Sequence, residues 1–299
     1  MEDIGRPHKR GERFSSFLDS LPHILAARTL KAVIADIVRA ARAGRPVIVG
    51  MGAHPIKVGL NPLLIDLMKR GVVSCLAMNG AGIIHDLELA LVGKTSEEVE
   101  AGIDDGSFGM AHDTAELLND AIARGAKHHT GLGQAVGDTI SRGTFPYKSM
   151  SLLATASRLN IPATVHVAIG TDIIHMHPSA DGAAIGATSL EDFKRLTAVV
   201  ARLERGVYLN LGSAVLLPEI FLKAVTIARN LGHRLVNFTT VNMDFTQHYR
   251  PLTNVVRRPT QAGGRGYTLT GHHEIMFPLL AAGVIEALDR PPRTRSHVR

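Results

Sequence analysis

His175 and His177 stand two residues apart, just after Asp172, a spacing that turns both imidazoles to one side of an extended strand. Imidazole and carboxylate are the usual ligands of zinc and other divalent ions. With His54, His85, Asp244 or His272 they define a candidate metal site, with His54, His175 and His177 as first choice; histidines that hydrogen-bond or face a substrate are the alternative. His272, His273 and Glu274 follow one another directly. They suit a general acid or base, since imidazole titrates near neutral pH, or else a helix cap at the surface.

Two glycine-bearing turns come next. MNGAGIIHDL sets Asn79, Gly80 and Gly82 ahead of His85 and Asp86, and NLGSAVLLPE sets Gly212 and Ser213 ahead of Glu219. Such turns let backbone N–H groups approach a phosphate or carboxylate, or they simply turn the chain tightly. Neither is a GxGxxG fingerprint, and the chain has no Walker loop or nucleophile elbow.

The formal net charge is +6, and its distribution says more than its sum. Arg250, Arg257, Arg258 and Arg265 fall in a stretch without acids, and Arg290, Arg293, Arg295 and Arg299 crowd the C-terminus, leaving the remainder nearly neutral. The terminal stretch, with Pro291 and Pro292, reads as a solvated, disordered tail, and no nucleic-acid role is expected. The internal arginines lie within the folded region, where guanidinium forks suit carboxylate or phosphate.

These residues need elements to position them. Thr29–Arg42 has helical spacing of apolar residues and stops at Gly44; Pro46–Gly52 reads as a buried strand. Pro62–Arg70 is a helix leading into VVSCLAMNG, a second buried strand. A capping box at Thr95–Glu98 starts another helix, and Ala115–Arg124 is helical, whereas Gly125–Gly143 reads as loop with a short helix. Ser149–Leu159 precedes strand Ala163–Gly170, and Leu190–Leu203 is an amphipathic helix. Strand Val207–Leu211, a helix from Pro218 to Gly232, strands Leu235–Val241 and Tyr267–Leu269, and a helix Ile275–Leu288 complete the chain.

This alternation predicts an α/β protein: a doubly wound, mainly parallel, Rossmann-type sheet with helices on both faces. Ligands then bind beyond the carboxyl ends of the strands. The residues there are His54 and Lys57; Asn79 to Asp86; Thr171, Asp172, His175 and His177; Ser213 and Glu219; Asn242 and Asp244; and His272 to Glu274. We divide the chain into an N-terminal arm and helix (1–44), a single domain (45–288) and a basic tail (289–299). Low aromatic content (4%) without tryptophan suits helices laid on a parallel sheet. Cys75, in an apolar run, reads as a small core residue. No secretory signal and no membrane span are evident, which predicts a cytoplasmic protein.

Over most of residues 45–288 the sequence resembles the deoxyhypusine synthase family. The likeness rests on GMGAHPIKVGLNPLLIDLMKRGVVSCLAMNGAGIIHDLELAL, NIPATVHVAIGTDIIHMH, LNLGSAVLLPEIFLKAVTIARNLG and EIMFPLLAAGVIEAL. It implies a homotetramer with NAD and spermidine bound between subunits, and Asp172 matches a polyamine-site aspartate. The departures are informative. The family's hydroxyl-rich cofactor loop corresponds to Gly52–Gly59, which has lost most hydroxyls. Its acidic pair corresponds to Ile84 and His85 with Asp86 kept, a histidine to Glu219, and an aspartate to His272. The lysine that forms the family's imine falls at Pro259, and no lysine follows Lys223; arginine, always protonated, cannot form that imine.

The sequence therefore points to a divergent relative acting on a small anionic or nucleotide-like molecule, not to an aminobutyl transferase. His85, Asp86, Asp172 and His272 are the expected acids, bases or orienting groups. Gly52, His54, Asn79, Gly80, Gly82, Gly212 and Ser213 would hold NAD or a similar cofactor, and Lys57, Glu219, Asp244, Arg257 and Arg258 the substrate. A metal-dependent hydrolase or lyase and a non-catalytic homo-oligomeric binding protein are the alternatives.

Overall fold

A computed structural model describes residues 4–95, 102–104, 106, 109 and 112–289. The basic tail and most of the expected capping box lie outside the described residues. Helices α1 (Phe14–Ser20) and α2 (Leu25–Arg42) lead to β1 (Val47–Met51), the short α3 (His54–Lys57), α4 (Asn61–Lys69), β2 (Cys75–Asn79) and α5 (Gly80–Val92). Then come α6 (His112–Lys127), α7 (Leu132–Arg142), α8 (Leu152–Leu159), β3 (Ala163–His166), α9 (Gly182–Val200), β4 (Val207–Leu211) and α10 (Leu216–Asn230). β5 (Thr239–Asp244), a helical segment at 249–257 that is a π-helix over Leu252–Arg257, β6 (Arg265–Thr270) and α11 (His273–Asp289) close the fold.

The six strands form one sheet in the order β3-β2-β1-β4-β5-β6, parallel throughout. This is the expected doubly wound α/β arrangement, with its switch point between β1 and β4. Alternating side chains serve two cores. Val47, Val49, Met51, Leu209 and Leu211 face the core shared with α2, α4, α5 and α11. Ile48, Cys75 and Tyr208 face α9 and α10 through Leu196, Val200 and Phe221. Cys75 is indeed interior, and burial pushes its thiol up to about 12. Residues 14–42, set apart in the sequence reading, join the main core through Leu18, Leu30, Val33 and Ile34. Among the described residues no helix is long and apolar enough to cross a membrane.

Two local expectations give way to packing. The Gly125–Gly143 stretch is helical over α7, because Gly133 and Gly137 are sites of close approach: a Cβ would lie 2.1 Å from the Ala163 oxygen or 2.6 Å from the Leu153 oxygen. β5 starts four residues later than expected, because the Glu204 carboxylate takes the N–H groups of Val236 and Asn237 and holds them in a turn.

The edge strand β3 is closed by side chains. Asp192 accepts from Val165 N–H (2.8 Å) and from Gly133 N–H (2.8 Å), and Ser189 accepts from Val167 N–H (3.3 Å) while donating to the Val165 oxygen (3.1 Å). Burial pushes the Asp192 carboxyl up to about 7, against the pull of those two N–H groups. A carboxyl raised in the fold contributes stability that is fully present below its unfolded value, near 4, and is lost as pH rises through about 7. Asp192→Asn removes that dependence. Urea unfolding at pH 5 and pH 8 should therefore show the variant gaining on the wild type at the higher pH, by about 2–3 kcal/mol.

Candidate functional site

The carboxyl ends of β1 and β4 meet with no side chain between them. A Cβ on Gly52 would lie 2.5 Å from the Gly212 oxygen, and Gly212 itself turns in the left-handed region (φ 66°). Over this floor lies the imidazole of His273, the first residue of α11, so close that a Cβ on Gly212 would sit 2.6 Å from its Nε2.

His273 is 1% exposed, and neither ring nitrogen has a hydrogen-bond partner. Its Nε2 stands 3.7 Å from Oδ1 of Asp244, the last residue of β5, which is fixed by the Phe245 N–H (2.8 Å). His54, exposed at the lip, has its ring 5.6 Å from that of His273; Phe245 completes the wall at 6.2 Å. Burial lowers the His273 pKa, with Asp244 opposing, so the ring is held neutral. A neutral imidazole beside a carboxylate can accept or return a proton and orient a polar ligand.

A second polar group forms over β2 and β3. Asn79 caps α5 by accepting from Gly82 N–H (3.1 Å). The Asp172 carboxylate rests on the start of that helix: it accepts from Ala81 N–H, and a Cβ on Gly80 would be 1.9 Å from its Oδ2. His175 Nδ1 accepts from the N–H groups of Gly170 (3.2 Å) and Asp172 (3.3 Å), which leaves the ring proton on Nε2. That nitrogen and Asp172 Oδ2 are 4.0 Å apart, both buried and unpartnered. Burial raises the Asp172 pKa, with His175 opposing.

Other expected site residues are placed elsewhere. His177 does not join His175, because residues 173–175 form a 3₁₀ turn and not the extended strand that would align them. It bonds Ser179 Oγ (2.7 Å) and packs edge-on against His112. His54, His175 and His177 are thus not brought together, and among the described residues no group of three or more His, Cys, Asp or Glu side chains is placed to hold a metal ion. His85 pairs with Glu88 (2.9 Å). Asp86 is fully interior and spends its oxygens on four donors, so it is a helix-capping carboxylate and not an open acid.

Ser213 Oγ accepts from Leu217 N–H (3.2 Å) in the first turn of α10. Glu219 is engaged by Lys223, Asn254 and Arg250, and Lys223 above all holds its carboxyl below the usual range. Arg257 and Arg258 bond back to Thr253 and Asn254 on the preceding turn of the 249–257 segment. Pro259, where the family's lysine is expected, gives its oxygen to Arg229 Nη2 (2.7 Å). Lys57 is exposed at the end of α3. His272 is exposed at the rim, stacked on Phe245.

His273 was the half of the histidine pair that sequence reasoning set aside. The signal was present: positions 273, 277, 280, 281 and 284 form one helical stripe, and all are buried.

The fold and these strand-end groups define a Rossmann-like α/β protein. No protein-family profile matches the sequence, and no curated protein matches it either. Solved structures do share its fold. AgrE in ternary complex with ornithine and NAD+ superposes with a TM-score of 0.56 at 17% identity over 86% of this chain. A LOR/SDH-type protein of Methanococcus maripaludis S2 gives 0.52 at 15% identity, covering 93% of this chain and 72% of that one. An Entamoeba histolytica protein assigned as a deoxyhypusine synthase gives 0.54 at 11% identity, covering 96% and 98%. The chain spans about a third of AgrE (33%). At these identities the likeness is one of fold, and at that level the resemblance to deoxyhypusine synthase holds.

Proposed function

We propose that the protein binds a small anionic or nucleotide-like molecule, NAD among the candidates, at the carboxyl ends of β1, β4 and β5. In this reading His273 serves as a neutral acid–base group positioned by Asp244. One observation carries the proposal: a buried imidazole with both nitrogens unpartnered lies on a glycine floor at the switch point, where unpaired polar atoms cost about 1–3 kcal/mol each unless something satisfies them. The NAD+ complex of AgrE, on the same fold, supports a dinucleotide.

The residues present fit such a ligand on one side only. The bare backbone of Gly52 and Gly212 admits close approach, whereas the start of α5 is already filled by the Asp172 carboxylate. Bound there, a nicotinamide would supply hydride chemistry. The chain's own part is to hold a proton on His273 Nε2 beside Asp244, which leaves Nδ1 to accept one, and to exclude water with Phe245. Lysine-imine transfer by the deoxyhypusine synthase route has no lysine to run on, since none follows Lys223. Exposed Val215, Phe245, Tyr249 and Ile275 close by support a homo-oligomer that covers the crevice.

Calorimetric titration of the wild-type protein with NAD+, NADH and AMP tests the reading. Saturable binding of at least one is expected, and saturable binding of none by wild type overturns it. Binding without turnover in the presence of small carboxylate and amine substrates would assign a binding protein in place of an enzyme.

A further inference from the structure

At the amino ends of the strands, between α2 and the starts of β5 and β6, lies a groove of about 510 Å³, in the range of small-molecule sites. It is lined by Arg39, Arg205 and Arg265, with Asp36 at its base. The Asp36 side chain is 2% exposed and organises the others. Its Oδ1 takes Arg39 Nη1 at 2.8 Å and Arg265 Nη2 at 3.0 Å, and its Oδ2 accepts from Thr239 Oγ1 at 2.7 Å. Each guanidinium has five N–H donors, so both arginines are held in place with most of their donors still free toward the groove.

Arg205 adds the unusual element. Its backbone sits in the left-handed region (φ 65°), a conformation that costs a side-chain-bearing residue stability and that glycine adopts freely. Its N–H bonds the Asn237 oxygen (2.7 Å), which fixes the turn. The adjacent Glu204 makes no ion pair with it: that carboxylate is turned to the N–H groups of Val236 and Asn237 and to Asn237 Nδ2. Three arginines thus face the groove against one carboxylate that is itself shared by two of them.

We infer that this groove is a binding site for a small oxyanion, a phosphate- or carboxylate-bearing molecule gripped by Arg39, Arg205 and Arg265. It is separate from the strand-end crevice. Guanidinium forks match both anions, and strain retained at a residue that presents a charge marks a position kept for its side chain.

The decisive variant is Arg205→Gly. Glycine relieves the left-handed backbone, so the melting temperature should rise by about 2 °C while the site loses a charge. Titration with inorganic pyrophosphate and with citrate, each against sodium chloride at matched ionic strength, reads the binding. Wild type should bind at least one of them saturably, and Arg205→Gly about tenfold more weakly despite its greater stability. Arg39→Gln should also weaken it. Preference for pyrophosphate identifies a phosphate ligand, and preference for citrate a carboxylate. Heats no different from sodium chloride, or an Arg205→Gly protein that binds as wild type does, would overturn the site. Replacing His273 should leave this binding unchanged, which separates failure here from failure at the crevice.

Discussion

His273→Gln should weaken binding at the strand-end crevice by about tenfold or more and, where turnover is measured, lower kcat by roughly 10²–10⁴-fold, the usual range for a lost acid–base group. The fold should survive, because in the free protein neither ring nitrogen holds another element in place. Glutamine keeps a polar head but cannot shuttle a proton. Gly212→Ala approaches the same site from below. Its Cβ would meet His273 Nε2 at 2.6 Å and force alanine into a left-handed backbone, displacing the imidazole with its chemistry intact. Weakened binding in both variants, measured by calorimetry with circular dichroism to confirm folding, places His273 in the ligand's path. Because burial lowers its pKa, the ring's neutral form in the folded protein persists to the acid side of the ordinary histidine range. Affinity that needs the neutral ring is therefore level at neutral pH and falls only in acid. Unaltered binding by His273→Gln would remove the residue from the site.

Asp86→Ala should cost about 3–5 kcal/mol in urea unfolding, among the largest losses available to one substitution here. The carboxylate accepts from Ser151 Oγ (2.6 Å), Leu152 N–H (2.7 Å), Leu153 N–H (3.1 Å) and Asn61 Nδ2 (3.1 Å), joining α4, α5 and the start of α8. Truncation strands these donors in the interior, where each unmade bond costs about 1–3 kcal/mol. Burial nevertheless pushes the carboxyl up to about 6, so the four donors offset only part of its desolvation. Asp86→Asn retains an acceptor and should lose much less. A loss below about 1 kcal/mol for Asp86→Ala would return this residue to the pool of functional candidates.

The sheet was legible because its strands are short apolar runs ending in glycine or asparagine: β4 matches its expected bounds, and β1 and β2 lie within theirs. What escaped were features set by contact between distant segments. Glycines at 133 and 137 look like breakers in a sequence but are grooves for the Ala163 and Leu153 backbones. The spacing of His175 and His177 carries a different meaning in a 3₁₀ turn than in a strand. Asp86 was visible as a carboxylate near a glycine turn, yet its burial depends on α8, some 65 residues away along the chain. Of the adjacent histidines, only the stripe shared with Phe277 and Leu280 distinguishes the inward one.

The closure of β3 by Asp192 and Ser189 also bears on how copies of this chain can join. A strand arriving at that edge would find the Val165 N–H and C=O and the Val167 N–H already engaged by α9. Pairing there would require α9 to release its grip and expose an interior carboxylate. On this flank, self-association by continuing the sheet is closed.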